Sequence, residues 1–267
     1  MLSDKQLAQY HADGYVRLGK VATDEEFDAL RQRTDDITQG RVQHDGMWFQ
    51  LDLGGAEYKL GPGGKFAGPS DDYRKIEGWE RDPVYLAYTQ HPVFQAVTRQ
   101  LIGERVSAYR CMFMNKPPRK GTVLPYHQDG GDGWGLSSVD GADYATIWTA
   151  LDPATKANGC VEVVPGSHTL GLLSKRGHVV SEEDKREHVE NHPSVFLELD
   201  VGEVVVLHNF LLHRSGVNES DIARRGYSVC YMDGAIHRTA DEDRKTFPMI
   251  FGDDALSVLD AEARMSA

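Results

Sequence analysis

Three residues of this chain, His127, Asp129 and His213, have the types and spacing to do chemistry together. His127-Gln128-Asp129 ends a stretch that alternates like a β-strand, and residues two apart on a strand share a face. The imidazole and the carboxylate can therefore converge on one cation. His213 follows 86 residues later in a second strand-like segment. Two imidazoles and one carboxylate on a rigid sheet cover one face of an octahedral iron(II) and leave the other three positions open. An α-keto acid chelating through two oxygens would fill two of them, and dioxygen the third. If that acid is 2-oxoglutarate, its far carboxylate needs a cation inside the protein, a role that suits the bidentate geometry of arginine. Arg224 and Arg225 stand just before another strand pattern, and alternation turns only one of them inward, leaving the other exposed. Spacing within the strand does not choose between them.

An H-x-D triplet alone is a weak signal. The chain contains a second one, His11-Ala12-Asp13, but it lies at the end of an amphipathic helix, where residues two apart diverge. The elements around it are readable. Ser3 caps a helix over 4–12, residues 15–18 form a short strand, and Thr23 with Glu26 three residues on is a capping box that opens a helix to about Ile37. Residues 40–80 read as loop with short strands. Between Pro83 and Leu101 the apolar spacing is helical, divided by Pro92 into a short turn and a helix of about ten residues, with Gly103 as a stop. From Val106 onward the chain consists of short Val-, Ile-, Tyr- and Trp-rich runs separated by Gly, Pro, Asn and Asp. Strands are predicted over 106–114, 123–129, 144–151, 160–164, 195–199, 203–207, 213–216 and 226–232, with a helix inserted over 181–190. This pattern suits a mainly β fold with peripheral helices, its core a closed or sandwiched antiparallel sheet of the jelly-roll, cupin-like kind. The expected organisation is one domain over 1–267, with helical decorations over about 1–103 and the β core over about 104–234.

Composition narrows the function classes. Lys plus Arg total 29 against 41 Asp plus Glu, a formal net charge of -12 spread along the chain, which argues against nucleic acid or an anionic membrane as partner. Cys111, Cys160 and Cys230 lie far apart among apolar residues and suit buried free thiols in a reducing compartment. No apolar run reaches the roughly 18 residues of a membrane span, and the first ten residues are polar. The expectation is a soluble, cytoplasmic protein acting on a small molecule.

Longer motifs carry a resemblance. In order they are Asp13-Gly14-Tyr15-Val16, Met112-Phe113-Met114-Asn115-Lys116-Pro117-Pro118, His127-Gln128-Asp129, Trp148-Thr149-Ala150-Leu151-Asp152, Asn158-Gly159-Cys160, Pro165-Gly166-Ser167-His168 and His213-Arg214-Ser215-Gly216-Val217-Asn218, followed by Arg224. Across most of its length the chain resembles the phytanoyl-CoA dioxygenase family of iron(II)- and 2-oxoglutarate-dependent oxygenases. The resemblance implies a double-stranded β-helix with His127, Asp129 and His213 as iron ligands. In the family the co-substrate arginine lies eleven residues after the distal histidine, which selects Arg224. Met112 and Trp148 match positions that line the 2-oxoglutarate pocket, and Lys75 matches a further one. His168 falls in a tight turn and is not a ligand. The Gly-rich stretch 130–141, with Trp134, follows the H-x-D pair and would serve as a lid or substrate wall.

The reaction implied uses iron(II), 2-oxoglutarate and dioxygen, releases succinate and carbon dioxide, and hydroxylates a C–H bond. Asp129 fills the position that a halogenase would leave for chloride. The family also admits an acyl-CoA as substrate, although the negative net charge favours a small metabolite. Two other classes fit the same ligands: a cupin-like metalloenzyme that uses no keto acid and has no need of Arg224, and a non-catalytic binding protein, which would not need all four residues.

Overall fold

Local sequence signals open each of the early elements. The computed structural model describes residues 1–129, 135–138, 140, 144–174, 179–239 and 247–265. Helix α1 (Asp4–Asp13) starts on a capping box between Ser3 and Gln6 and stops at Gly14, whose left-handed φ of 79° turns the chain into β1 (Tyr15–Lys20). A second capping box, Thr23 with Glu26, opens α2 (Asp24–Thr38). Residues 40–80 supply β2 (Trp48–Leu51), β3 (Gly63–Gly64) and β4 (Tyr73–Glu77). Asp82 caps α3 (Pro83–Thr89) by accepting from two backbone amides of its first turn, and His91 caps α4 (Pro92–Leu101). Both helices carry proline in the first turn, where its missing N–H costs nothing. The predicted short turn before Pro92 is therefore a seven-residue helix.

Strands then dominate: β5 (Val106–Lys116), β6 (Leu124–His127), β7 (Tyr144–Ala150) and β8 (Val161–Val163). Helix α5 (Glu182–His188), capped by Ser181, precedes β9 (Val195–Leu197), β10 (Glu203–His208), β11 (His213–Ser215) and β12 (Arg224–Asp233). Strand β13 (Met249–Phe251) and helix α6 (Val258–Met265), which the sequence reading did not include, close the described chain.

Among the described residues the strands form two antiparallel sheets. The larger runs β1-β10-β7-β12-β5-β4-β2-β3, with β13 also on β5, and the smaller runs β6-β11-β8-β9. Trp148, Val205 and Leu207 of the large sheet share one buried cluster with Val161, Val163 and Leu197 of the small one, so the sheets face each other. This is the jelly-roll core of the double-stranded β-helix expected from the sequence. The other face of the large sheet, with Phe113, Ile147, Val206, Tyr227 and Val229, packs on Phe27, Leu30, Tyr85 and Phe94 of the helices. The first hundred residues add more than helices, because β1 extends one edge of the large sheet and β4, β2 and β3 the other. No helix among the described residues is long and apolar enough to cross a membrane.

Candidate active site

His127 at the end of β6 and His213 at the start of β11 are direct cross-strand partners, which brings two residues 86 positions apart onto one face of the small sheet. Their rings stand 4.0 Å apart between centroids. Asp129 follows β6, and its Oδ1 lies 3.9 Å from His127 Nε2 and 3.8 Å from His213 Nε2. Donor atoms held at right angles about 2.1 Å from a metal are about 3 Å apart, so Asp129 needs to close on each histidine by under about 1 Å to share an ion, and all three donor atoms already lie within 4.8 Å of one another. They are the group of possible metal-holding side chains found among the described residues.

The surroundings fix how these side chains are presented. His127 Nδ1 lies 2.8 Å from the Pro125 carbonyl and His213 Nδ1 2.9 Å from the Leu211 carbonyl. A carbonyl can only accept, so each Nδ1 carries the proton and each Nε2 turns its lone pair toward Asp129. Asp129 Oδ2 accepts from the Thr146 hydroxyl at 3.1 Å, which leaves Oδ1 as the oxygen facing the histidines. Its backbone amide donates to the Asn209 carbonyl at 2.9 Å. Between His127 and Asp129, Gln128 points the other way. Its amide nitrogen donates to Gly171 and Phe210 carbonyls, and its oxygen accepts from the Leu173 and Ser174 amides, so all of its valences hold neighbouring loops. Beside the carboxylate, burial pushes the Cys230 thiol up to about 12, with the Asp129 charge adding to it, so this sulfur stays neutral.

An open cleft lies between the sheets over these residues, with Met112, Met114, Trp148, Arg224 and Ser228 on its large-sheet side. Met112 and Trp148 thus line the same cleft as the histidine-aspartate group. Lys75 is not among the lining residues. It pairs across from Met114, on the same face, with its ammonium 2.5 Å from Glu77 and 5.4 Å over the Trp48 ring.

The two adjacent arginines separate as strand alternation requires. Arg224 faces the cleft and is 4% exposed. Its guanidinium lies 5.6 Å over the Trp148 ring, and the indole reaches there because Gly226 has no side chain, since a Cβ at that position would stand 2.2 Å from it. The Arg224 Nε is buried with no hydrogen-bond partner, and no carboxylate among the described residues pairs with the group. Burial lowers its pKa to about 10. A desolvated, unpaired guanidinium is costly and marks a place for an anion. Arg225 turns away, but not to solvent as the sequence reading expected. It donates to both Asp152 oxygens at 2.6 and 2.9 Å and to Asp35 Oδ1 of α2 at 2.7 Å, and these carboxylates raise its pKa against burial. The correction has a simple cause: the outer face of β12 is covered by α2.

His11 and Asp13 lie on α1 and at its end, apart from the histidine-aspartate group. His168 lies in a short 3-10 turn, its Nε2 3.1 Å from the His11 carbonyl and its ring 4.8 Å from His208. Trp134 and most of the 130–141 stretch fall outside the described residues. Sequence reasoning missed Thr146, Met114 and Ser228. A period-two step from Trp148, Met112 and, through Gly226, from Arg224 reaches each of them.

The sequence model of the family described as "Phytanoyl-CoA dioxygenase (PhyH)" matches residues 10–226. A relative from Caenorhabditis elegans named "Probable phytanoyl-CoA dioxygenase" is 29% identical over 265 residues, covering 92% of this chain and 80% of its own. "Phytanoyl-CoA dioxygenase domain-containing protein 1" of Mus musculus is 27% identical over 271 residues, with 88% and 91% covered. Among solved structures, EctD from S. alaskensis with 2-oxoglutarate and 5-hydroxyectoine superposes with a TM-score of 0.70 at 21% identity, over 97% of this chain and 86% of that one.

Proposed function

The chain belongs to the phytanoyl-CoA dioxygenase family and is on that ground a 2-oxoglutarate-dependent dioxygenase; from this premise we propose that it hydroxylates an unactivated C–H bond of a small metabolite, with release of succinate and carbon dioxide. In this reading His127, Asp129 and His213 hold iron(II), and Arg224 pairs with the far carboxylate of 2-oxoglutarate. Trp148 and Met112 wall the co-substrate, and Lys75 flanks the same face. Iron(II) with the keto acid and dioxygen supplies the oxidising power, and the chain supplies orientation and charge. Thr146 holds Asp129 so that one oxygen faces the ion, and the two carbonyl-bound imidazoles keep their tautomers. The apolar walls exclude water around the co-substrate.

The observation that carries this reading is the buried Arg224 guanidinium, without an anion of its own, in the cleft that also holds the histidine-aspartate group. A cupin-like metalloenzyme with no keto acid would have no use for it. The formal charge of -12 supports a small metabolite over an acyl-CoA and argues against nucleic acid. We also read 1–267 as one oxygenase domain, since strands from its first hundred residues pair within the large sheet. The three buried free thiols support a reducing, cytoplasmic setting. Titrating 2-oxoglutarate into the anaerobic iron(II) protein should produce a visible metal-to-ligand charge-transfer band. Aerobic incubation should then yield slow succinate formation that a true substrate stimulates. Absence of both the band and succinate would sink the proposal, and stimulation by acyl-CoA thioesters but not by small metabolites would move the substrate to the acyl-CoA class.

A further inference from the structure

Arg224 has cationic company. Across the β12–β5 pair it stands directly opposite Lys116, which is likewise 4% exposed. Like charges opposite each other on a sheet repel. Arg74 of β4, also buried, adds its charge against both. The carboxylate facing Lys116 and Arg74 is Asp52. It is already engaged by the Thr122 amide at 3.0 Å, the Thr122 hydroxyl at 2.8 Å and the Gly54 amide at 2.5 Å. Lys116 Nζ donates to the Thr122 carbonyl at 2.7 Å and Arg74 to Gln50 Oε1 at 2.8 Å, both neutral acceptors. The remaining titratable group against Arg224 is Cys160, whose thiol burial pushes up to about 11 and keeps neutral. Lys116 and Arg74 thus share one carboxylate, and Arg224 has none.

The place of Lys116 is also built sterically. Gly121 and Gly159 have left-handed φ of 80° and 77°, and a Cβ on either would stand 2.8 Å from the lysine stem. An apolar chain of the same length would fill this slot without the charge.

We propose that Lys116 and Arg74 are positioning residues of the co-substrate pocket, forming with Arg224 a buried cationic bed that is completed when the far carboxylate of a dicarboxylic keto acid enters. The inference rests on the 2-oxoglutarate reading and extends it to two residues that act through Arg224. Burial, then Arg224 and Arg74, hold the Lys116 pKa well below its ordinary 10.5. An arriving carboxylate reverses that push and moves the Lys116 pKa back toward its ordinary value, so any proton taken up on binding goes to Nζ. Unfolded chains bind more protons than the empty protein between the lowered value and 10.5, so Lys116 destabilises the empty fold at neutral pH and less so as pH rises through that window.

The test compares manganese(II)-loaded wild type, Lys116→Met and Arg74→Met. Thermal unfolding is followed without 2-oxoglutarate, and 2-oxoglutarate is titrated calorimetrically in two buffers of different ionisation enthalpy. Without co-substrate, Lys116→Met should unfold about 2–4 °C higher at pH 7, an advantage that shrinks toward pH 10. Its affinity for 2-oxoglutarate should fall at least about tenfold, and proton uptake on binding should vanish. Arg74→Met should also bind more weakly, with smaller uptake because one of the charges that hold the Lys116 pKa down is gone. It carries the test if Lys116→Met does not fold. Unchanged affinity in both variants, or a less stable empty Lys116→Met, would overturn the bed and leave Lys116 a packing residue. Wild type that binds no 2-oxoglutarate would remove the keto-acid reading itself, and the bed with it.

Discussion

On the outer face of the large sheet every polar group named here has found a partner. Tyr227 meets the Thr89 hydroxyl at 2.7 Å, Tyr88 meets Thr149 at 3.0 Å, and Tyr231 donates to the Thr89 carbonyl at 2.8 Å. Arg225 is held by two carboxylates. The rings of Trp79, Tyr85 and Tyr227 pack edge to face at 4.2 and 4.7 Å. On the inner face of the same strands, one residue away, Arg224 has a buried Nε with no acceptor, and Lys116 opposes it. Of the two arginines, the outer one is satisfied without a ligand, and the inner one is left without an anion of its own. The contrast teaches that a buried cation held by carboxylates ties this protein together, whereas one left without an anion at the wall of a cleft marks where it binds.

The sharpest break of that contrast is at the metal group. His127→Ala or Asp129→Ala should abolish turnover and reduce iron(II) affinity by orders of magnitude, while His11→Ala leaves both unchanged; metal stoichiometry and equilibrium dialysis decide it. Full iron occupancy at wild-type affinity in both of the first two variants would remove the assignment.

Exchanging the fates of the two arginines comes next. Arg224→Ala should cost about 3–5 kcal/mol of 2-oxoglutarate affinity, a hundredfold or more, with iron binding kept. Arg225→Ala should leave the keto-acid titration nearly unchanged and instead lower stability by about 3 kcal/mol, because it leaves the buried Asp152 without its bidentate partner. Urea unfolding and anaerobic titration of both variants give the four numbers. The same pattern in both would mean that the two faces do not divide binding from stability.

A smaller effect belongs to the group behind the metal carboxylate. Thr146→Val removes a hydroxyl shared between Asp129 Oδ2 and the buried Asn209 Oδ1, and should weaken iron(II) binding about tenfold to a hundredfold while costing about 1 kcal/mol of stability. Metal affinity equal to wild type would show that Thr146 only packs. The least effect is expected on the outer face. Tyr227→Phe removes one buried hydroxyl contact and should cost about 1 kcal/mol of stability, with succinate formation per iron unchanged.

Much of this could be read from the chain because it rests on local rules. Ser3 and Thr23 start helices by capping, and alternation sets His127 and Asp129 on one side and parts Arg224 from Arg225. The β-rich run after Val106 and the order of motifs from Met112 to Arg224 pointed to the fold and the family. What local rules could not supply is who stands opposite whom. The pairing of His127 with His213 and of Lys116 with Arg224 joins strands separated by 86 and 108 positions. Covering of Arg225 by α2 depends on how a helix lies on a sheet, and no periodicity within β12 carries that information. The resemblance selected Arg224 for a carboxylate, but its lack of an anion within the protein was not legible, since a sequence records which groups can pair and only the packed structure decides which of them are left without a partner.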